Sequence, residues 1–181
     1  WRSISNRLRR EISDKKVEHE ARYKTTNKKT KENEKKNREK KGFNKILYSN
    51  KEFKGIIDFF GSNIRSEIKS TSSSNYDGLL SNIFSPDTSY LGTKDEPNSW
   101  ICFEFLKRRI IPTHYTIKSN GYYSCHLRSW VVEGSLDGVN WTKIDEHNNC
   151  SFLNGLNNVH TFTISNDEEQ EFKYIRIRQT D

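Results

Sequence analysis

From about residue 64 to the end of the chain, short runs of hydrophobic residues are separated by clusters of Gly, Asn, Asp, Ser and Pro. Within the runs, apolar and polar residues alternate with a period of two, as in a β-strand with one buried face. The seven candidate strands are residues 64–70, 100–105, 114–119, 129–135, 140–145, 159–165 and 172–178. Many short strands separated by turn formers predict an antiparallel β-sandwich or barrel.

The residues before this region follow a helical pattern. Apolar residues stand at positions 53, 56, 57 and 60, which is the i, i+3, i+4, i+7 spacing of an amphipathic helix, and Gly61 follows as a terminator. Ser49 and Glu52 are spaced as an N-cap and its reciprocal partner. We therefore predict one short amphipathic helix within residues 42–63, packed on the domain at 64–181, since so short a helix is marginal alone.

Residues 1–41 are polar and rich in lysine. Residues 1–50 hold 17 Lys+Arg against 7 Asp+Glu, whereas the remaining residues hold 14 against 17, so the basic charge belongs to the N-terminal third. We interpret residues 1–41 as a helical or disordered charged linker, or the end of a coiled coil through which the chain self-associates. A basic arm that neutralises nucleic-acid phosphates is the alternative.

The run WVVEGSLDGVNWTKI predicts a hairpin with its turn at Asp137-Gly138. Gly supplies a positive φ, and the Asp side chain bonds to the local backbone. Trp130 and Trp141 are expected to cover the sheet on either side of the turn as core or near-core aromatics. Asp137 is therefore predicted to be a turn residue and not a catalytic acid.

Three stretches, NSWICFEF, SWVVEGSLDGVNWTKI and EFKYIRIRQ, resemble the discoidin-like module, also called the coagulation factor V/VIII type C domain. This family belongs to the galactose-binding-like β-sandwiches. The resemblance covers about residues 51–181, and it is closest to an intracellular, protist-like branch found in large multidomain proteins. The residues that carry the resemblance are Trp100, Trp130, Asp137, Gly138, Trp141, Tyr174 and Arg176. It implies a mainly β, jelly-roll-like antiparallel sandwich without shared catalytic residues or a cofactor.

The chain departs from the family at its ends. Extracellular members join their ends with a disulfide, but no Cys lies near Lys51 or Asp181. Family domains also continue beyond the aromatic-Ile-Arg strand with a loop and a closing strand. We therefore expect the closing strand to be missing, which leaves an unpaired edge.

In the family, ligands bind at loops that project from one end of the sandwich. By position, these would be residues 71–80 and 120–127 here. The resemblance implies a carbohydrate or protein ligand, and the alternative function is a structural adaptor with the sandwich as a protein-docking surface. The candidate ligand-binding residues are Tyr76, Asp77, Tyr122, Tyr123 and His126. Their rings could stack on a sugar or anchor a peptide, or they could be ordinary loop side chains.

Metal and catalytic chemistry receive little support from the sequence. Cys125-His126 precedes the hairpin, and His147 and Cys150 follow it; a two-residue turn would set Cys125 opposite Cys150, whereas a longer turn would shift that register. A zinc site or a thiol pair is a hypothesis, although the spacing matches no standard motif. We predict no metal, no cofactor and no catalysis. No nucleophile motif is present, and nothing singles out the strand carboxylates Glu104 and Glu133 as a glycosidase pair.

The cysteine count and the apolar runs bear on location. The three cysteines cannot all pair with one another, and the chain contains neither a signal-like segment nor an apolar run long enough for a membrane span. We therefore predict a reducing, cytoplasmic compartment. The chain contains no Met, and we expect it to be part of a longer protein whose other domains are its partners.

Overall fold

The computed structural model describes residues 53–85, 87, 90–122, 126–166 and 168–181, together with Lys24, Lys28 and Lys29. The chain divides into two units, Trp1–Lys45 and Ile46–Asp181. The three lysines are helical and exposed. The proposed capping pair, Tyr123, Cys125 and most of the predicted linker lie outside the described residues, so the predictions about them stay predictions, as do the domain boundaries.

The described part of the second unit is built mainly from antiparallel strands. The strands are β1 Ile68–Ser72, β2 Asp77–Gly78, β3 Leu91–Gly92, β4 Trp100–Phe105, β5 His114–Lys118, β6 Trp130–Ser135, β7 Thr142–His147, β8 Val159–Thr163 and β9 Tyr174–Gln179. Five of them form one sheet in the order β1-β4-β9-β6-β7, and β5 pairs with β8 and β2 with β3. All these pairs are antiparallel. The prediction of an antiparallel β-sandwich is confirmed.

Short helices precede β1. Helix α1 spans Ile56–Phe60, a 3₁₀ turn spans Gly61–Asn63, and α2 spans Ile64–Glu67. The predicted helix therefore begins at residue 56, since Phe53 has a φ of 60° and cannot belong to a right-handed helix. A second 3₁₀ helix, Leu80–Phe84, lies in a predicted loop. Among the described helices, none has the length and apolar character that a membrane span requires.

The first predicted strand is wrong over its first half. Residues 64–67 form α2, and the strand begins only at Ile68. The Ser66 hydroxyl donates a hydrogen bond to the Asn63 carbonyl at 2.9 Å, which supports the helical turn. Ile64 and Ile68 are spaced i, i+4, so their burial fits a helical turn as well as a strand.

The hairpin turn is longer than two residues. Residues 136–141 separate β6 from β7, and the register shifts once more at a bulge between Val132 and Glu133. Trp130 consequently pairs with His147, and the register of a two-residue turn does not occur. The same insertion explains why β7 begins two residues later than predicted.

The core lies between the five-stranded sheet and the β5–β8 pair. Trp130, Val132, Leu153 and Phe162 are buried there, and Ile175 and Ile177 of β9 pack against them. The Tyr115 ring stacks on Phe162 with 5.1 Å between centroids. A second cluster, Phe60, Ile68 and Phe105, joins the helices to the sheet. Each such side chain contributes about 1.5–3 kcal/mol through burial.

The polar atoms at the centre of this core are paired. The Trp130 indole N–H donates to the Tyr115 hydroxyl at 2.9 Å, and that hydroxyl donates to Asp145 at 2.7 Å. Burial, followed by the hydrogen bond to Asp145, raises the pKa of Tyr115 far above its usual value of 10. The phenol therefore stays protonated and keeps its bond to Asp145.

Candidate functional site

Strand pairing brings three long connections to one end of the sandwich. The end of β1, the start of β4, the end of β9, the start of β6 and the end of β7 all lie side by side at that end. The connections 73–99, 119–129 and 148–158 join the five-stranded sheet there. We call the surface that the described residues of these three connections form the loop face.

The first two connections meet through Tyr90. Its hydroxyl donates to Asp77 Oδ2 at 2.5 Å, and its ring centroid lies 5.7 Å from that of Tyr122. Asp77 Oδ1 accepts the Gly78 N–H at 2.7 Å. A Cβ at position 78 would lie 2.1 Å from the Tyr90 carbonyl oxygen, so the close approach requires glycine. Both oxygens of Asp77 are thus engaged in holding the loop.

The second and third connections are joined by hydrogen bonds. The Ser119 hydroxyl donates to the Gly155 carbonyl at 2.6 Å and accepts the Asn158 N–H at 2.8 Å. The Asn157 N–H donates to the Asn120 carbonyl at 3.2 Å. These bonds hold the end of the third connection beside the start of the second.

Aromatic side chains project from each of the three connections. Tyr76 is 76% exposed, Tyr122 is 64% exposed and Phe152 is 59% exposed. The Phe152 ring lies parallel to the His160 ring with 4.0 Å between centroids, which leaves its other face open. Exposed rings held on ordered loops are typical of recognition surfaces, because they supply apolar contact area at low entropic cost.

The predicted binding residues differ in their exposure and in their contacts. Tyr76 and Tyr122 are exposed on the loop face, whereas Asp77 supports Tyr90. His126 is half-buried, and its Nδ1 atom is buried with no hydrogen-bond partner among the described residues.

Sequence analysis missed Tyr90 and Phe152. Phe152 stands in the connection SFLNGLNN, between the hairpin and β8. The only signal in the sequence was a Phe in a connection rich in Asn and Gly.

The described residues of the metal hypothesis are His126, His147 and Cys150. Among the described residues, no group of three His, Cys, Asp or Glu side chains is placed to hold a metal ion. The His147 ring packs 4.6 Å from both Trp130 and Phe162, and its Nε2 lies 2.9 Å from Asp145 Oδ2. Cys102 and Cys150 are free thiols. Cys125 lies outside the described residues, so the four-residue site stays a hypothesis.

Both strand carboxylates, Glu133 and Glu104, accept hydrogen bonds from basic side chains. Glu133 Oε2 accepts the Arg176 Nε–H at 2.8 Å, and Arg178 Nη2 donates to Glu133 Oε1 at 3.0 Å. Burial alone would raise the pKa of Glu133, but the arginine hydrogen bonds outweigh it and the pKa lies below 4.5. A hydrogen bond from Lys173 likewise lowers the pKa of Glu104. A glycosidase acid needs a raised pKa, and neither group has one.

Asp137 organises the hairpin turn. Its Oδ1 accepts the N–H groups of Val139 and Asn140, both at 2.8 Å, and Oδ2 accepts the Asn140 side-chain amide at 2.8 Å. These bonds hold the pKa of Asp137 well below its usual 3.8. Gly138 has a φ of 75°, a conformation that favours glycine. The carboxylate is thus a fixed acceptor for backbone donors and not a proton donor.

The chain matches short parts of much longer curated proteins, and no protein-family model matches it. It is 35% identical over 107 residues to the E3 ubiquitin-protein ligase Ufd4 of Drosophila melanogaster, which covers 56% of this chain and 4% of that protein. It is 27% identical over 88 residues to the E3 ubiquitin-protein ligase hecd-1 of Caenorhabditis elegans, covering 48% of this chain and 3% of that protein. The chain therefore spans only a small part of these relatives.

Two solved structures are similar to this chain in fold. A family 32 carbohydrate-binding module from Clostridium perfringens, in complex with GalNAc-beta-1,3-galactose, is similar with a TM-score of 0.51 and 16% identity, covering 65% of this chain and 86% of that one. The family 32 module of NanJ from the same organism, in complex with galactose, has a TM-score of 0.48 and 16% identity, covering 65% and 85%. The chain has the galactose-binding-like, discoidin-like β-sandwich fold, as the sequence resemblance predicted.

Proposed function

We propose that this chain is a non-catalytic recognition module that binds a carbohydrate at the loop face and acts as one part of a longer protein. The observation that carries the proposal is the convergence of three connections that expose Tyr76, Tyr122 and Phe152 at one end. A module with the same fold has been solved with GalNAc-beta-1,3-galactose bound, which supports the ligand class.

The chemistry of the loop face suits a sugar ring. The C–H side of a pyranose is apolar, and the exposed rings of Phe152 and Tyr122 offer matching flat surfaces. Sugar hydroxyls both donate and accept hydrogen bonds, as do the tyrosine phenol groups of the loop face. Because hydrogen bonds hold the second and third connections together at Ser119, less loop entropy is lost there when a ligand binds.

The ion pairs of the sheet support binding without catalysis. Glu133 and Glu104 each accept hydrogen bonds from basic side chains, and the pKa of each lies below the ordinary value of 4.5. At neutral pH neither has a proton to give to a leaving group. We therefore assign the ion pairs of Glu133 with Arg176 and Arg178 to the stability of the sheet.

A glycan array probed with the whole chain tests this proposal. Phe152→Ala removes an exposed ring from the loop face, whereas Phe59→Ala removes a ring of similar exposure, 52%, from α1 at the other end. We expect Phe152→Ala to weaken the wild-type glycan signal by about tenfold or more, equivalent to about 1.4 kcal/mol. Phe59→Ala should bind like wild type. Equal signals for both variants, or no glycan bound by wild type, would contradict the proposal.

A second candidate function is protein docking within a large multidomain protein. The supporting observation is the 35% identity over 107 residues to Ufd4, an E3 ubiquitin-protein ligase. In that case the exposed rings would anchor side chains of a polypeptide. Enzymatic deglycosylation of a captured partner separates the two functions: glycan recognition is then lost, whereas protein docking persists.

A further inference from the structure

A pocket of about 200 Å³ lies on the outer face of the five-stranded sheet, opposite the core, and none of its described lining residues belongs to the three connections of the loop face. We call it the outer pocket. It lies over β4 and β9, where Cys102 pairs with Arg176 and Glu104 pairs with Tyr174. Its lining includes Trp100, Glu104, Gly138, Trp141, Tyr174 and Arg176.

The hairpin turn forms one wall of the outer pocket. Residues 136–141 fold back over β9, so that a Cβ at Gly138 would lie 3.5 Å from the Tyr174 ring. Trp141 follows the turn and packs edge-on against Tyr174 with 6.5 Å between ring centroids. The guanidinium of Arg176 lies 4.0 Å from the Trp141 ring centroid. The turn that Asp137 organises therefore holds an aromatic wall in place.

Several side chains of the outer pocket have surfaces or polar atoms available to a ligand. Within the described part of the chain, the half-buried Trp100 indole makes no hydrogen bond and no ring contact. Glu104 uses only Oε1 for its bonds to Tyr174 and Lys173. Arg176 uses Nε and Nη2 for Glu133. Among the described residues, no hydrogen bond engages Glu104 Oε2 or Arg176 Nη1, which leaves an acceptor and a donor beside aromatic surfaces.

The charges around the outer pocket select its occupant. The guanidinium of Arg176 repels a cationic ligand and the carboxylate of Glu104 repels an anionic one, so the lining favours neither sign of charge. A purely aliphatic group would leave the free acceptor and the free donor without partners, which is unfavourable. A neutral ring with an apolar face and hydroxyl groups matches the aromatic wall, the acceptor and the donor together.

We propose that the outer pocket is a second carbohydrate-binding site, sized for a single neutral sugar ring and separate from the loop face. The ligand class rests partly on the proposed function, whereas the position and the selectivity for a neutral ring come from the pocket itself. A ligand of one ring has few atoms, so we expect a Kd on the order of 1–10 mM.

Indole resonances of the whole chain, labelled with ¹⁵N-tryptophan, test this site directly. The chain has four Trp, and Trp130 is an internal control because it is buried and bonded to Tyr115. Titration with neutral methyl glycosides, up to about 50 mM, exceeds the expected Kd. We expect at least one glycoside to shift the Trp100 and Trp141 resonances saturably and to leave Trp130 in place.

Variants separate this site from the loop face. Glu104→Ala removes the free acceptor. It should raise the Kd obtained from the Trp100 shift by about tenfold. Val139→Ala changes an exposed residue in the same turn that does not line the outer pocket, and should titrate like wild type. Phe152→Ala should leave the Trp100 shift unchanged even where it removes loop-face binding.

The outcomes separate the two sites. If the Trp100 and Trp141 resonances do not move with any glycoside, the proposed second site is wrong, whatever the loop face does. It is also wrong if only polypeptides shift these resonances. Shifts of these indoles without any response of the loop face would support the outer pocket and count against the proposed function.

Discussion

Gly134 on β6 lies directly against the ring of Phe172. A Cβ at position 134 would lie 2.4, 2.5 and 2.6 Å from three ring atoms, where ordinary contacts are 3.4–4 Å. Phe172 is 2% exposed, and its backbone exchanges two 2.9 Å hydrogen bonds with Ile110. Because the ring is enclosed and its backbone is paired, Gly134→Ala must displace a well-packed core side chain.

The size of this effect follows from two opposing contributions. Overpacking a core by one methyl group costs about 1–3 kcal/mol. Gly134 has no positive φ, so alanine is compatible with its backbone and gains about 0.5–1 kcal/mol relative to glycine. We therefore expect Gly134→Ala to lower the free energy of unfolding by about 1–2 kcal/mol, measured by urea unfolding followed through Trp fluorescence.

A double-mutant cycle tests the cause of the loss. Phe172→Leu removes ring atoms that the new methyl group would meet, so Gly134→Ala should cost less than about 0.5 kcal/mol in that background. The coupling free energy is then about 1–2 kcal/mol. A Gly134→Ala variant as stable as wild type, or one that loses the same free energy in both backgrounds, would refute the packing of β6 against Phe172.

Three further predictions concern the sheet, the turn and the thiols. Glu133→Gln leaves two arginines without their carboxylate and should lower the free energy of unfolding by about 2 kcal/mol, between the values for exposed and buried ion pairs. The folded-state pKa of Glu133 lies below 4.5, so its contribution is present above pH 4.5 and is lost as the pH falls through the folded-state value; a variant with the wild-type pH dependence in that range would contradict this. Asp137→Ala should speed hydrogen exchange of the Asn140 amide, which donates to Asp137, and unchanged exchange would argue against that bond. Burial raises the pKa of the Cys102 thiol, whereas Cys150 is half-buried, so mass spectrometry should find Cys102 alkylated at least about tenfold more slowly at neutral pH; equal rates would contradict its burial.

Strands that pair with a neighbour on each side, such as β4, were the most predictable part of the fold. Residues 100–105 were predicted from the alternation in WICFEF, and β4 has those bounds. Strands β2 and β3 contain two residues each, too few for a period of two to appear. The predicted start of β1 was wrong because Ile64 and Ile68 satisfy a helical spacing as well as a strand spacing. Only tertiary packing decides between a helix and a strand there.

The candidate site was predictable only in part. Tyr76 and Tyr122 stand in loops that the family resemblance indicated, and both are exposed on the loop face. Tyr90 and Phe152 lie in parts of the chain whose contacts depend on strands distant in sequence. The outer pocket was missed because one of its walls is a six-residue turn folded back over β9. The Asp-Gly pair predicts a turn but does not determine its length.

The most direct test of the account is to map where a carbohydrate contacts the whole chain. Backbone amide shifts in ¹H–¹⁵N spectra, recorded with the glycan that binds best on the array, give that location. We expect the largest saturable shifts in residues 73–99, 119–129 and 148–158, with a Phe152→Ala variant losing them. A bound glycan that leaves these three connections unchanged and shifts only other parts of the chain would show that the loop face is not the recognition surface.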